Sequence, residues 1–100
     1  MKYGLNNKTI GKIVGIFYNN KEIEQAILFG SRAKGNYRPS SDIDITLKGD
    51  ISFDNLLRIE SQLDNLMLPY KFDVTVFEKL KNQDLINHID RVGKIFYQKQ

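Results

Sequence analysis

Gly30-Ser31-Arg32-Ala33-Lys34-Gly35-Asn36-Tyr37-Arg38-Pro39-Ser40-Ser41-Asp42-Ile43-Asp44 sets a glycine-serine turn and a cationic loop directly ahead of two carboxylates. The carboxylates open an alternating segment, Asp42 to Leu47. Its period of two sends Ile43, Ile45 and Leu47 to one face and Asp42, Asp44 and Thr46 to the other, so both acids point the same way. At a rise of roughly 3.3 Å per residue their Cα atoms lie about 6.6 Å apart, close enough for the side chains to share divalent cations. A glycine at a strand end lets the backbone approach a ligand, and the N–H groups that open the following turn suit a phosphate. Gly30 and Ser31 are therefore candidate phosphate-binding residues. Arg32, Lys34 and Arg38, with no acid between residues 30 and 41, add positive charge for a polyanion.

Outward from this stretch, the apolar run Ala26-Ile27-Leu28-Phe29 reads as a strand buried on both faces that stops at Gly30. Ser31 is expected to N-cap a short helical turn, and residues 36 to 41 to form a loop before a second strand over 42 to 48. Ile10, Ile13, Val14 and Phe17 follow helical spacing and predict a helix over 6 to 18, weakened by Gly11 and Gly15. Leu56, Ile59, Leu63 and Leu66 predict a second helix over about 53 to 67, stopped by Pro69. Lys71 to Phe77 alternates again, a third strand carrying Asp73 on the face opposite Phe72, Val74 and Val76. A final helix is expected over 82 to 91, with Gly93 at its stop. Ile95-Phe96-Tyr97 either adds a short edge strand or simply docks. These elements predict an α/β (α+β) fold in a single domain over residues 1 to 100, with helices packed against a small sheet.

Aspartate is depleted from strands, so Asp42, Asp44 and Asp73 on strand faces call for a reason. If the second and third strands are neighbours, about 4.8 Å apart, the three carboxylates can converge, and two divalent cations would relieve their repulsion. The chain has no cysteine, which removes disulfides and thiolate metal sites; oxygen ligands predict magnesium or manganese. The formal charge is +3, yet the lysines are scattered and no basic and aromatic stripe forms, which argues against a nucleic-acid surface. No signal-like or membrane-length apolar run is present, and the expected setting is cytoplasmic. Spacing excludes other readings. Asn36-Tyr37 follows Gly35 where a P-loop needs Lys-Ser/Thr. The strand after Asp44 breaks an EF-hand pattern. Ser31 lacks a nucleophile elbow. His88, beside Leu85, Ile89 and Val92, is assigned to packing or an interface.

Gly30-Ser31, ten intervening residues, then Asp42-Ile43-Asp44, with Asp73 on a later strand, resembles the active-site signature of the DNA polymerase β-like nucleotidyltransferase superfamily. The context Leu28-Phe29-Gly30-Ser31-Arg32-Ala33-Lys34-Gly35 and the short length resemble its minimal nucleotidyltransferase (MNT) branch. The resemblance implies a polymerase β-like fold with a mixed sheet, and a metal-dependent transferase in which Gly30 and Ser31 hold the β and γ phosphates of ATP. It implies further that Asp42 and Asp44 ligate two Mg2+ ions (or Mn2+), and that Asp73 completes the catalytic metal's shell and helps activate the attacking hydroxyl. The general base is Asp73 or water. Nothing after Asp73 is large enough for an acceptor-binding domain, so the acceptor is expected on another molecule. Minimal members are commonly paired with a small all-helical HEPN-type protein, a toxin or a substrate-binding subunit, and act as antitoxin by transferring AMP to it. The resemblance thus implies AMP transfer from ATP to a hydroxyl of such a partner, in a homodimer or hetero-oligomer. Two alternatives stand beside it: a non-catalytic nucleotide-binding antitoxin that acts by occlusion, and a catalytic subunit that modifies a small molecule or RNA.

Overall fold

The computed structural model describes residues 1–100. Its elements run α1 (Asn7–Asn19), β1 (Ile23–Phe29), α2 (Gly30–Lys34), β2 (Ile43–Gly49), α3 (Phe53–Asp64), β3 (Phe72–Val76), a 3-10 turn (Phe77–Lys79), α4 (Gln83–Val92) and β4 (Lys94–Gln98). The four strands form one mixed sheet in the order β3-β2-β1-β4. β1 is antiparallel to both of its neighbours, while β2 and β3 run parallel and are joined across α3. A parallel pair needs such a crossover, and α3 supplies it.

The alternation read in the sequence decides which face is core. Ala26, Leu28, Ile43, Ile45, Leu47, Val74 and Val76 turn to one side and are buried with Ile13 and Phe17 of α1 and Ile59 and Leu63 of α3. Burial of such aliphatic side chains stabilises by about 1.5–3 kcal/mol each, which offsets the weakness of a glycine-bearing α1. On the opposite side Ile27 and Phe29 of β1 meet Ile89 of α4, with Phe77, Leu80 and Leu85 around them. α4 therefore covers the β1 half of the second face.

Several boundaries differ from the expected ones, each for a local reason. α1 starts one residue later because Asn6 is its cap, the side-chain oxygen accepting from the Thr9 N–H at 2.8 Å. α3 ends at Asp64 rather than residue 67. Beyond it Leu66 and Met67 bond back only three residues, and Met67 sits at φ 56°. Such tight bonds satisfy the last carbonyls without continuing the helix. β1 begins three residues earlier than its apolar run, since Ile23 pairs with Gly49. Ile95-Phe96-Tyr97 does both things left open: β4 pairs with β1, and Phe96 and Tyr97 pack on Phe17 at 6.4 and 6.1 Å between ring centroids. No helix is long and apolar enough to cross a membrane.

Candidate functional site

Two cross-strand rows stand on the half of the second face nearest β3. In register, Phe29 of β1 lies beside Asp44 of β2, and Asp44 beside Asp73 of β3. The next row is Ile27, Thr46 and Thr75. Thr46 is fully buried, and the Thr46 and Thr75 hydroxyls have no hydrogen-bond partner. So the acid face opens to solvent most at its first row, where Asp73 is exposed and Asp44 half-buried; Asp42 is exposed as well. Asp42 lies just before β2, off the ladder.

Gly30 sits where β1 turns into α2, at φ 73°. That backbone conformation favours glycine, and here space demands it as well, because a Cβ at this position would collide with the Asp44 carboxylate. The glycine-serine turn and the Asp44 carboxylate are therefore in direct apposition. Ser31 is not the cap that was expected; it lies inside α2, and its carbonyl accepts from the Gly35 N–H at 2.9 Å. Phe29 holds the cap position and offers no side-chain acceptor. The acceptor comes from α4: the Gly30 N–H donates to His88 Nε2 at 3.1 Å, and the imidazole stands edge-on to the Phe29 ring, 6.1 Å between centroids at 82°.

Arg32 requires a correction. Expected among the nucleotide-binding residues, it is 1% exposed and makes four hydrogen bonds to three backbone carbonyls, those of Tyr3, Pro39 and Ser41. Its guanidinium also lies over the rings of Tyr37 at 5.4 Å and Tyr70 at 4.9 Å. A planar fork of donors suits this task, and with its donors turned to carbonyls the side chain faces no ligand. What Arg32 does is tie the N-terminal turn and the loop ahead of Asp42 to α2. Lys34 and Arg38 are exposed and neither joins an ion pair.

The electrostatics single out Asp44. Burial pushes its carboxyl above the ordinary aspartate value of 3.8, and the neighbouring charges of Asp73 and Asp42 push the same way, with Arg32 pulling weakly back. An all-oxygen donor set under mutual repulsion fits a hard divalent cation in its chemistry. The side chains do not already close into a cage of three around a cation-sized gap. The fit rests on donor type and on the charge carried by Asp44. The one hollow in the molecule, about 420 Å³ near Tyr18, Lys21, Tyr97 and Lys99, touches none of these residues, and the acid row lies on open surface instead.

Comparison with known proteins bears on the family and the fold. The family described as "Polymerase beta, Nucleotidyltransferase" matches residues 11–100. A protein of Methanocaldococcus jannaschii named "Putative protein adenylyltransferase" is 35% identical over 65 residues, which are 65% of this chain and 60% of that protein. The chain thus spans about 60% of the length of that relative. Among solved structures, a toxin-antitoxin crystallised with AMP-PNP superposes with a TM-score of 0.72 at 22% identity, covering 91% of this chain and 74% of the other. A second contains a tri-AMPylated Shewanella oneidensis HEPN toxin in complex with MNT antitoxin. It superposes with a TM-score of 0.68 at 19% identity, covering 96% and 75%. At these identities the likeness is one of fold.

Proposed function

The chain belongs to the polymerase β nucleotidyltransferase family, and on that premise we propose that it transfers AMP from ATP to a hydroxyl group on a partner protein. The observation that carries this reading is the apposition of the Gly30-Ser31 turn with Asp44, itself in register beside Asp73. The Gly30-Ser31 turn receives the triphosphate through the serine hydroxyl and the backbone N–H groups that follow Gly30, whose lack of a side chain lets the phosphates come close. Lys34 at the end of α2 and Arg38 in the loop that follows, both exposed, supply positive charge toward its outer phosphates. Asp42, Asp44 and Asp73 would hold the divalent ions, Mg2+ or Mn2+. Bound there, those ions supply charge neutralisation of the triphosphate and of the oxygens at the reacting phosphorus.

In the transfer the acceptor oxygen forms a bond to the α-phosphorus, the bond from that phosphorus to the bridging oxygen breaks, and pyrophosphate leaves. The acceptor's proton passes to Asp73 or to water. Asp73 is exposed at the sheet edge, a position a bulky acceptor can reach. The partner we propose is a small helical protein of the HEPN type, with the chain as its antitoxin or catalytic subunit in a cytoplasmic complex. Support comes from the relative named as an adenylyltransferase and from the toxin-antitoxin complexes that share the fold. The test is to incubate the chain with labelled ATP, Mg2+ and the product of its neighbouring gene. The partner should acquire label, and Asp42→Ala with Asp44→Ala should abolish it. Label that survives the double change, or none with the native chain, sinks the catalytic reading.

A further inference from the structure

We infer that His88 is a positioning residue of the nucleotide turn, setting the direction of the Ser31 hydroxyl and the amides that follow Gly30. The first N–H groups of a helix have no partner within it, and α2, five residues long, is too short to hold its own shape. Its cap position is occupied by Phe29, which has no acceptor to offer. His88 fills that role from 58 residues away: Nε2 accepts the Gly30 N–H at 3.1 Å, and edge-on packing against Phe29 holds the ring in place. The peptide joining Phe29 to Gly30 is thereby tied on both sides, since Phe29 is also paired with Asp44 across the ladder.

Two consequences follow from the chemistry. To accept, Nε2 must carry a lone pair, so the imidazole is neutral with its proton on Nδ1. With the Gly30 N–H already engaged, the amides and hydroxyl of the next residues are left for a phosphate, and their direction depends on the plane that His88 holds. His88 touches no substrate in this scheme; it acts through Gly30. The inference rests on the proposed triphosphate site and adds a residue that the signature does not contain.

Three variants separate the roles. His88→Phe keeps an aromatic ring against Phe29 and deletes the acceptor, His88→Gln returns an acceptor oxygen at nearly the reach of Nε2, and His88→Ala removes both. With ATP and Mg2+ as the probe, calorimetry of His88→Phe should show affinity weaker by roughly three- to tenfold, the loss of one neutral hydrogen bond's positioning. His88→Gln should recover most of that loss. In nitrogen-15 spectra the native imidazole should show the Nδ1-protonated tautomer, and the Ser31 amide should shift on adding ATP in the native chain and in His88→Gln far more than in His88→Phe. Cooperative thermal unfolding establishes that each variant is folded. If folded His88→Phe binds ATP as the native chain does, or if His88→Gln binds no better than His88→Phe, the inference is overturned while the site stands. A native chain that binds no ATP overturns the site and the inference together.

Discussion

Asp44 is the residue on which the electrostatics of the site converge, and its charge works against the fold. Its carboxyl is raised by burial first and by Asp73 and Asp42 next. The folded chain therefore holds a proton there at pH values where the unfolded chain has released it. Stability from this group is present below the ordinary aspartate value and is lost as pH rises through the raised one. Asp44→Asn should accordingly unfold at a higher temperature than the native chain at about pH 7, with the gap shrinking toward about pH 4. A variant less stable at neutral pH would show that the charge is compensated within the protein. Arg32 is the opposite case, a buried charge that the fold uses. Arg32→Ala leaves the carbonyls of Tyr3, Pro39 and Ser41 unpartnered and should lower stability by about 2–4 kcal/mol in urea titration; a loss below about 0.5 kcal/mol, the range of ordinary surface changes, would contradict the strut role. The sequence placed Arg32 in a cationic loop but carried no sign that it points inward. Its burial is decided by a carbonyl near the N-terminus and by the rings of Tyr37 and Tyr70, which charge patterning does not register.

At the scale of elements, alternation was enough to find β2 and β3 and to put Asp44 and Asp73 on faces opposite the core. It could not supply register. That the two acids stand side by side follows from a parallel pairing across α3, which a period of two leaves open. The polar start of β1 and the short β4 were equally hard to read, because Glu24 and Gln25 resemble loop and Ile95 is 62% exposed. The β1 to α2 turn was legible through Gly30, yet its cap was not, since His88 arrives from another element. Gly30→Ala tests this turn. The new methyl meets the Asp44 carboxylate in a backbone region unfavourable for alanine, at a cost of about 1–3 kcal/mol in stability. We expect a folded variant whose ATP affinity falls far more than its unfolding midpoint; native-like ATP binding would show that the turn and Asp44 need not be in contact for the site to work.

For the whole molecule, the two faces of one sheet divide the labour. α1 and α3 seal the first face into the main core, while α4 covers only the β1 half of the second. The uncovered half presents the half-buried Asp44 and, on the edge strand, the exposed Asp73. Holding like charges together at that edge is unfavourable in the free chain, so a cation that binds the folded state should stabilise it. Adding Mg2+ is expected to raise the unfolding temperature of the native chain and to leave Asp42→Ala/Asp44→Ala unmoved; an equal rise in both would assign the ion to another site.

We propose that the Gly30-Ser31 turn and the three aspartates form one metal-dependent triphosphate site. The decisive experiment is calorimetric titration of ATP into the chain, with Mg2+ and then with a chelator. The carboxylates repel a bare triphosphate, so binding should appear with Mg2+, vanish with the chelator and be absent from the Asp42→Ala/Asp44→Ala variant. Binding of equal strength without the ion, or undiminished in that variant, would show that the turn and the aspartates are not one metal-dependent site.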